Sequence, residues 1–150
     1  MKHTRKNLNQ SKRNGAVAIE AALGLVILIT LLLGIIEFGR ALTVGQLVTN
    51  AAREGARLSV VDGTTNEDVK DRVVSFLQAT LNVGNPDDLT VVITVEPDEG
   101  NDDPGNEVGQ ASTGDLCTVD VSVPYNEVSF GVLRFLRNKS LNGSVTMRHE

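Results

Sequence analysis

The stretch RNGAVAIEAALG (Arg13 to Gly24) sets a glycine, Gly15, five residues ahead of a carboxylate, Glu20, at the entrance to a long apolar run. A charged side chain inside a membrane-spanning helix is disfavoured by ~2.5–3.5 kcal/mol at the centre, and by less near the edge. Two readings account for Glu20. In one it is an interfacial acid in the first turn of a helix, where the dipole favours negative charge; that account leaves Gly15 unexplained. In the other, a protease cuts after Gly15. Ala16 then becomes a new N-terminus carrying a positive amine, and Glu20 becomes the fifth residue of the mature chain. Its carboxylate can pair with the α-amine of a neighbouring subunit. Inside an apolar bundle an unpaired acid penalises every wrong register, so such a pair would set the stagger between subunits.

The other reactive side chains offer less. PDEGNDDPGNEVGQASTGD (97–115) holds six acids, four glycines, two prolines and no base, and reads as a long mobile loop. Asp98, Glu99, Asp102, Asp103 and Glu107 have the oxygens that calcium wants. Gly100 and Gly105 are misplaced for an EF-hand and no downstream Glu closes one, so a solvated loop is the better reading. Cys117 lies on the apolar side of a strand pattern, which suits a buried thiol. His3 and His149 lack partners for a triad or metal pair, and no glycine-rich phosphate loop follows a strand. Catalytic, cofactor-binding and metal-binding residues are therefore not expected.

NAAREGAR (Asn50 to Arg57) is arranged for packing. Ala51 with Gly55, and Ala52 with Ala56, put small residues four apart, so another backbone can approach closely. Arg53, Glu54 and Arg57 surround that seam. Two partners suit it equally: the chain's own domain, or neighbouring copies.

These residues need elements to hold them. From Ala16 to Ile36 the only charge is Glu20. Twenty-one helical residues rise ~32 Å, which matches a hydrocarbon core of ~30 Å, so residues 16–36 read as a membrane-inserted helix. Ala41, Val44, Val48, Ala51, Gly55 and Leu58 continue at helical spacing. Residues 37–61 therefore read as an amphipathic stem on the same helix. A second helix is expected over Val69 to Leu81, with Thr64 and Glu67 at capping-box spacing and Val69, Val73, Phe76, Leu77 and Leu81 on one face. Gly84, Asn85 and Pro86 are expected to end it. LTVVITV (Leu89 to Val95), CTVDVSV (Cys117 to Val123) and LNGSVTM (Leu141 to Met147) alternate with period two, as strands of an antiparallel sheet covered on one face do. VSFGVLRFL (Val128 to Leu136) suits either a helix or a loop. The fold class is α+β: a long N-terminal helix, a second short helix and a small antiparallel sheet of about three strands.

Composition sets the frame. There is no Trp, one Tyr and four Phe, so the core must be aliphatic. The net charge of -5 hides an asymmetry, because residues 1–15 carry five bases (Lys2, Arg5, Lys6, Lys12, Arg13) and no acid. The remainder has 9 bases against 19 acids. An acidic body without a basic stripe argues against nucleic acid. A basic tail beside an apolar span resembles a cytoplasmic anchor under the positive-inside rule. The single cysteine rules out an internal disulfide.

A short basic leader ending in Gly, followed by an apolar helix with Glu five residues on, looks like a type IV prepilin signal. GAVAIEAALGLVILITLLLGIIEFGRALTVGQLVTNAAREGARLSVV resembles the TadE-like proteins of the tight-adherence (Tad/Flp) pilus system, with IEFGR and NAAREGAR the most specific pieces. The resemblance implies a pseudopilin or minor pilin without catalysis of its own. It implies a leader over 1–15, cleavage between Gly15 and Ala16 by a membrane aspartic prepilin peptidase, and Glu20 as the processing or assembly carboxylate. The implied partners are that peptidase, other pilins and pseudopilins, the inner-membrane assembly platform and membrane lipid. The implied place is the bacterial inner membrane, single-pass, with the N-terminus cytoplasmic and residues 62–150 as a periplasmic or extracellular α+β domain; the filament is the further option. Major Flp pilins are shorter and often carry an aromatic after the Glu, where this chain has Ala21, so the accessory TadE type fits better. The alternative is a membrane-anchored or exported binding module that joins no pilus.

Overall fold

The computed structural model describes residues 5–81, 83, 85, 88–128 and 136–150, with backbone alone for 5–14. The chain divides into two compact units, Met1–Phe38 and Gly39–Glu150. Helix α1 (Arg5–Ser59) is 55 residues long. It starts ahead of the expected Ala16, because the leader holds good helix formers (Lys, Arg, Gln) and no proline.

In the first unit, every side chain from Gly15 to Leu32 is exposed. Val17, Ile19, Leu23, Leu25, Val26 and Ile27 are each more than half accessible, an arrangement that makes sense only if something apolar surrounds them. Thr30, the one hydroxyl of the run, donates from Oγ1 to the carbonyl of Val26 at 2.8 Å, so it brings no unsatisfied donor into that apolar environment.

In the second unit, the later part of α1 presents Ala41, Val44, Val48, Ala51, Ala52 and Ala56 to the core. The sequence reading separates a stem (37–61) from a domain (62–150); Gly39 to Ser59 belong to the same compact unit as the sheet. A tight turn follows. Val61 N donates to Leu58 O at 3.1 Å, Thr64 N donates to Val61 O at 3.2 Å, and Gly63 takes a positive φ of 78°. Helix α2 (Asn66–Leu81) buries Val69, Val73, Leu77 and Leu81, while Phe76 is half-buried. Its capping box sits one residue later than expected, at Thr65 and Asp68 rather than Thr64 and Glu67. Thr65 N donates to Asp68 Oδ2 at 2.9 Å and Asp68 N to Thr65 Oγ1 at 3.3 Å. Thr64 is spent on the preceding turn and is buried. Of the residues expected to end α2, Gly84 and Pro86 lie outside the described residues.

Strands β1 (Thr90–Glu96), β2 (Leu116–Pro124) and β3 (Ser140–Arg148) form an antiparallel sheet in the order β1-β2-β3. Ile93 faces Val119 and Val119 faces Val145, so the apolar sets of the three strands share one face. The other face carries Thr94, Thr118 and Thr146 in one row, with Thr118 Oγ1 and Thr146 Oγ1 sharing a hydrogen bond of 2.8 Å. Helix α3 (Tyr125–Val128) follows β2 directly, and Tyr125 N donates to Lys139 O at 2.8 Å. Of VSFGVLRFL, residues 129–135 lie outside the described residues.

Two glycines set how closely the layers pack. A Cβ on Gly55 would stand 2.7 Å from Val73 Cγ2 and 3.2 Å from Val119 Cγ1, so α1, α2 and β2 converge there. A Cβ on Gly143 would stand 2.8 Å from both Cα and N of Thr49, where α1 crosses β3 backbone to backbone.

The segment 97–115, expected to be mobile, is folded around one carboxylate. Asp115 is fully buried. Its Oδ1 accepts from Asn101 Nδ2 at 2.6 Å and Asp98 N at 2.9 Å, and its Oδ2 accepts from Ser112 N at 2.8 Å. The Asn101 amide, then the Asp98 and Ser112 N–H groups, hold its carboxyl below the usual aspartate range. Asn106, at φ 66°, caps the β1 edge by accepting from Val95 N at 3.0 Å. Among the described residues, no group of three or more His, Cys, Asp or Glu is placed to hold a metal ion.

Candidate functional site

Gly15, Ala16 and Glu20 all lie on α1 and are exposed. Ala16 and Glu20 are four apart, so they occupy one side of the helix, one turn from each other. The neighbours of Glu20 along the chain, Ile19 and Leu23, are exposed and apolar. Gly15 has helical backbone, and a Cβ on it would meet nothing within 4 Å. Among the described residues, nothing requires a glycine there.

NAAREGAR is placed differently. Ala51, Ala52, Gly55 and Ala56 are all buried in their own domain, with Gly55 against Val73 and Val119. Of the two partners open to this seam, the intramolecular one occupies it. Its polar neighbours face outward. Glu54 Oε1 accepts from Arg72 Nη2 at 2.6 Å and from Nε at 3.2 Å, linking α1 to α2. The Arg72 guanidinium holds the Glu54 carboxyl below its ordinary value, with Arg57 at 3.7 Å assisting. An exposed pair of this kind stabilises by only about 0–1 kcal/mol. Its use is to fix the two helices in register.

Two residues of IEFGR acquire a structural setting. Glu37 is buried. Arg40 Nε donates to the carbonyl of Val128 at 3.1 Å, tying α1 to the end of the described part of α3. Cys117 is a fully buried free thiol whose pKa burial pushes up, as suits packing rather than reactivity. His149 is buried, with Nε2 3.9 Å from Asp62 Oδ1.

Sequence reasoning missed Asp115, Asn106 and Gly143. For Gly143 the signal was present: it fills the inward position between Leu141 and Val145, and a lone strand glycine marks close backbone approach. For Asp115 there was none, since six acids in one loop look alike until one is buried.

No curated protein and no solved structure matches the chain. A family model does: that of the TadE-like proteins, over residues 15–57. The match begins at the glycine that closes the basic leader, crosses the exposed apolar run, and ends at the last arginine of NAAREGAR. It leaves out α2 and the sheet. Over residues 15–57, less than a third of its length, the chain is similar to the TadE-like proteins.

Proposed function

We propose that the protein is a minor pilin or pseudopilin of the TadE type that assists assembly of a Tad/Flp adhesive pilus. It spans the bacterial inner membrane once, with the basic leader in the cytoplasm and the Gly39–Glu150 unit outside. A prepilin peptidase cuts it between Gly15 and Ala16. The observation that carries this reading is the TadE-like match starting at Gly15 on a helix whose next turns are apolar and exposed. Among the described residues, one helix, over Gly15–Ser59, is long and apolar enough to cross a membrane.

The chemistry then follows from the new N-terminus. Cleavage leaves an ammonium on Ala16, at the end of the helix that already carries about half a positive charge. Glu20 lies one turn further in, where water is scarce and an unpaired charge is costly. Glu20 of one subunit pairs with the Ala16 ammonium of the next, fixing axial stagger. The partners are the peptidase, other pilins and pseudopilins of the system, the assembly platform and lipid. The protein's own role is structural, without catalysis.

The test is intact mass and N-terminal peptide analysis of the membrane-associated protein, made with and without the cognate prepilin peptidase. A peptidase-dependent N-terminus at Ala16 is expected. A persisting Met1 end would leave an uncut anchor, and a cut beyond Ile36 would leave an exported binding domain; either overturns the processing step.

A further inference from the structure

Asn-Gly is among the strongest turn signals a sequence can carry. Asn14–Gly15 is such a pair, yet it lies inside α1, ten residues past the helix's first residue at Arg5. Asn is a poor helix former and Gly poorer still. Conflict between local preference and the adopted structure tends to mark functional positions. The fold itself gives no reason for the glycine. At Gly55 and Gly143 a methyl group would collide with neighbours, whereas at Gly15 it would meet open space, and the backbone there is ordinary helix.

A helical peptide bond is a poor protease substrate. In an α-helix the carbonyl of Gly15 accepts from the N–H of Ile19, and the N–H of Ala16 donates to the carbonyl of Lys12. Both groups of the bond to be cut are thus occupied, and a hydrolase needs them free. Water must add to the Gly15 carbonyl carbon, the C–N bond to Ala16 must break, and the products are a Gly15 carboxylate and an Ala16 ammonium. The first half of that step asks the carbonyl to leave its helical partner.

We propose that Asn14–Gly15 is a built-in hinge, two weak helix residues that let α1 open locally and present the Gly15–Ala16 bond to the peptidase. This rests on the processing reading above and adds a cause for the glycine: it lowers the cost of opening the helix. A peptidase pocket that simply rejects a side chain would be a different cause with a different signature. The difference between Gly and Ala in a helix corresponds to about fivefold in the opening equilibrium, and that between Asn and Ala to about threefold.

Two measurements on the full chain separate them. Amide hydrogen exchange in detergent micelles, without peptidase, follows the N–H groups of Ala16 to Ile19. Gly15→Ala is expected to slow their exchange about fivefold, and Asn14→Ala about threefold. Cleavage rates in membranes containing the peptidase are expected to fall by the same factors. Ala18→Gly added to Gly15→Ala is expected to return about fivefold in exchange and to restore cleavage. Exchange that ignores Gly15→Ala overturns the hinge. So does Asn14→Ala being cut at the wild-type rate while Gly15→Ala is not cut at all, the signature of a side-chain-rejecting pocket. Wild-type protein that exchanges rapidly at these amides but is never cut overturns the processing reading instead.

Discussion

The close approach of α1 to β3 at Gly143 gives the sharpest prediction. At Gly143 a methyl group would sit 2.8 Å from Thr49 Cα and N and 3.0 Å from the carbonyl carbon of Val48. None of these is the end of a flexible side chain, so Gly143→Ala must push α1 and β3 apart. Overpacking of this kind costs about 1–3 kcal/mol. Against it stands a gain of roughly 0.5–1 kcal/mol from replacing a strand glycine. The net is destabilisation of up to about 2.5 kcal/mol, centred on about 1 kcal/mol, or a few degrees in melting temperature for a domain of this size. The assay is urea unfolding of the full chain in detergent. It is followed by the fluorescence of Tyr125, the single tyrosine of a chain without tryptophan, which is buried in the domain.

Gly45→Ala is the internal control. Gly45 lies on α1, four residues before Thr49 and in the same unit as Gly143, but a Cβ there meets nothing within 4 Å. That change is expected to stabilise by up to about 1 kcal/mol through helix propensity alone. Opposite signs at Gly143 and Gly45 are the expected result. If Gly143→Ala is as stable as wild type, the reasoning that α1 and β3 touch through their backbones is refuted.

Other changes test other parts. Gly55→Ala should destabilise through Val73 Cγ2, and Gly55→Ala with Val73→Ala should show coupling in a double-mutant cycle, since the two side chains compete for one space. Thr65→Ala removes the α2 cap and should cost about 1 kcal/mol in the same unfolding assay. Asp115 has a folded-state pKa below its unfolded value of ~3.9, so its contribution is present above pH ~4 and is lost as pH falls through the lower, folded value. Asp115→Asn should therefore lower stability at neutral pH and flatten its decline in acid, read as urea midpoints across that range. Cys117, fully buried, should resist a maleimide in the native state and react once the domain unfolds.

The elements were legible in the sequence where one periodicity prevailed over a long stretch. The apolar run and the inward faces of α1, α2 and the three strands could be read off residue spacing, because burial on one side leaves a period of 3.6 or 2. The α2 cap was off by one because Thr64 and Thr65 both precede an acid three residues on, and only the turn ahead of them decides which threonine is free. The order within 97–115 was not legible. Its composition resembles a solvated linker, and what orders it is a single buried carboxylate with its donors at Asp98, Asn101 and Ser112, a contact set with no period.

The small residues of α1 show where spacing stops being informative. Ala51, Ala52, Gly55 and Ala56 announce that a neighbour comes close, but a sequence cannot say whose backbone it is. In the structure all four are covered by their own domain, and Gly55 has no room even for a methyl group. A second copy cannot use that seam without displacing Val73 and Val119. What the same stretch of α1 leaves exposed is Gln46, Asn50, Arg53 and Arg57, a polar face with Arg53 Nη1 bonded to Asn50 Oδ1 at 3.1 Å. Contacts made there would be solvated and salt-sensitive. Among the described residues, the exposed large apolar side chains concentrate on α1, from Val17 to Ile36 and on through Phe38 and Leu42. The Val17 to Ile36 segment offers apolar surface on which water could be excluded, and Glu20 is the one carboxylate it contains.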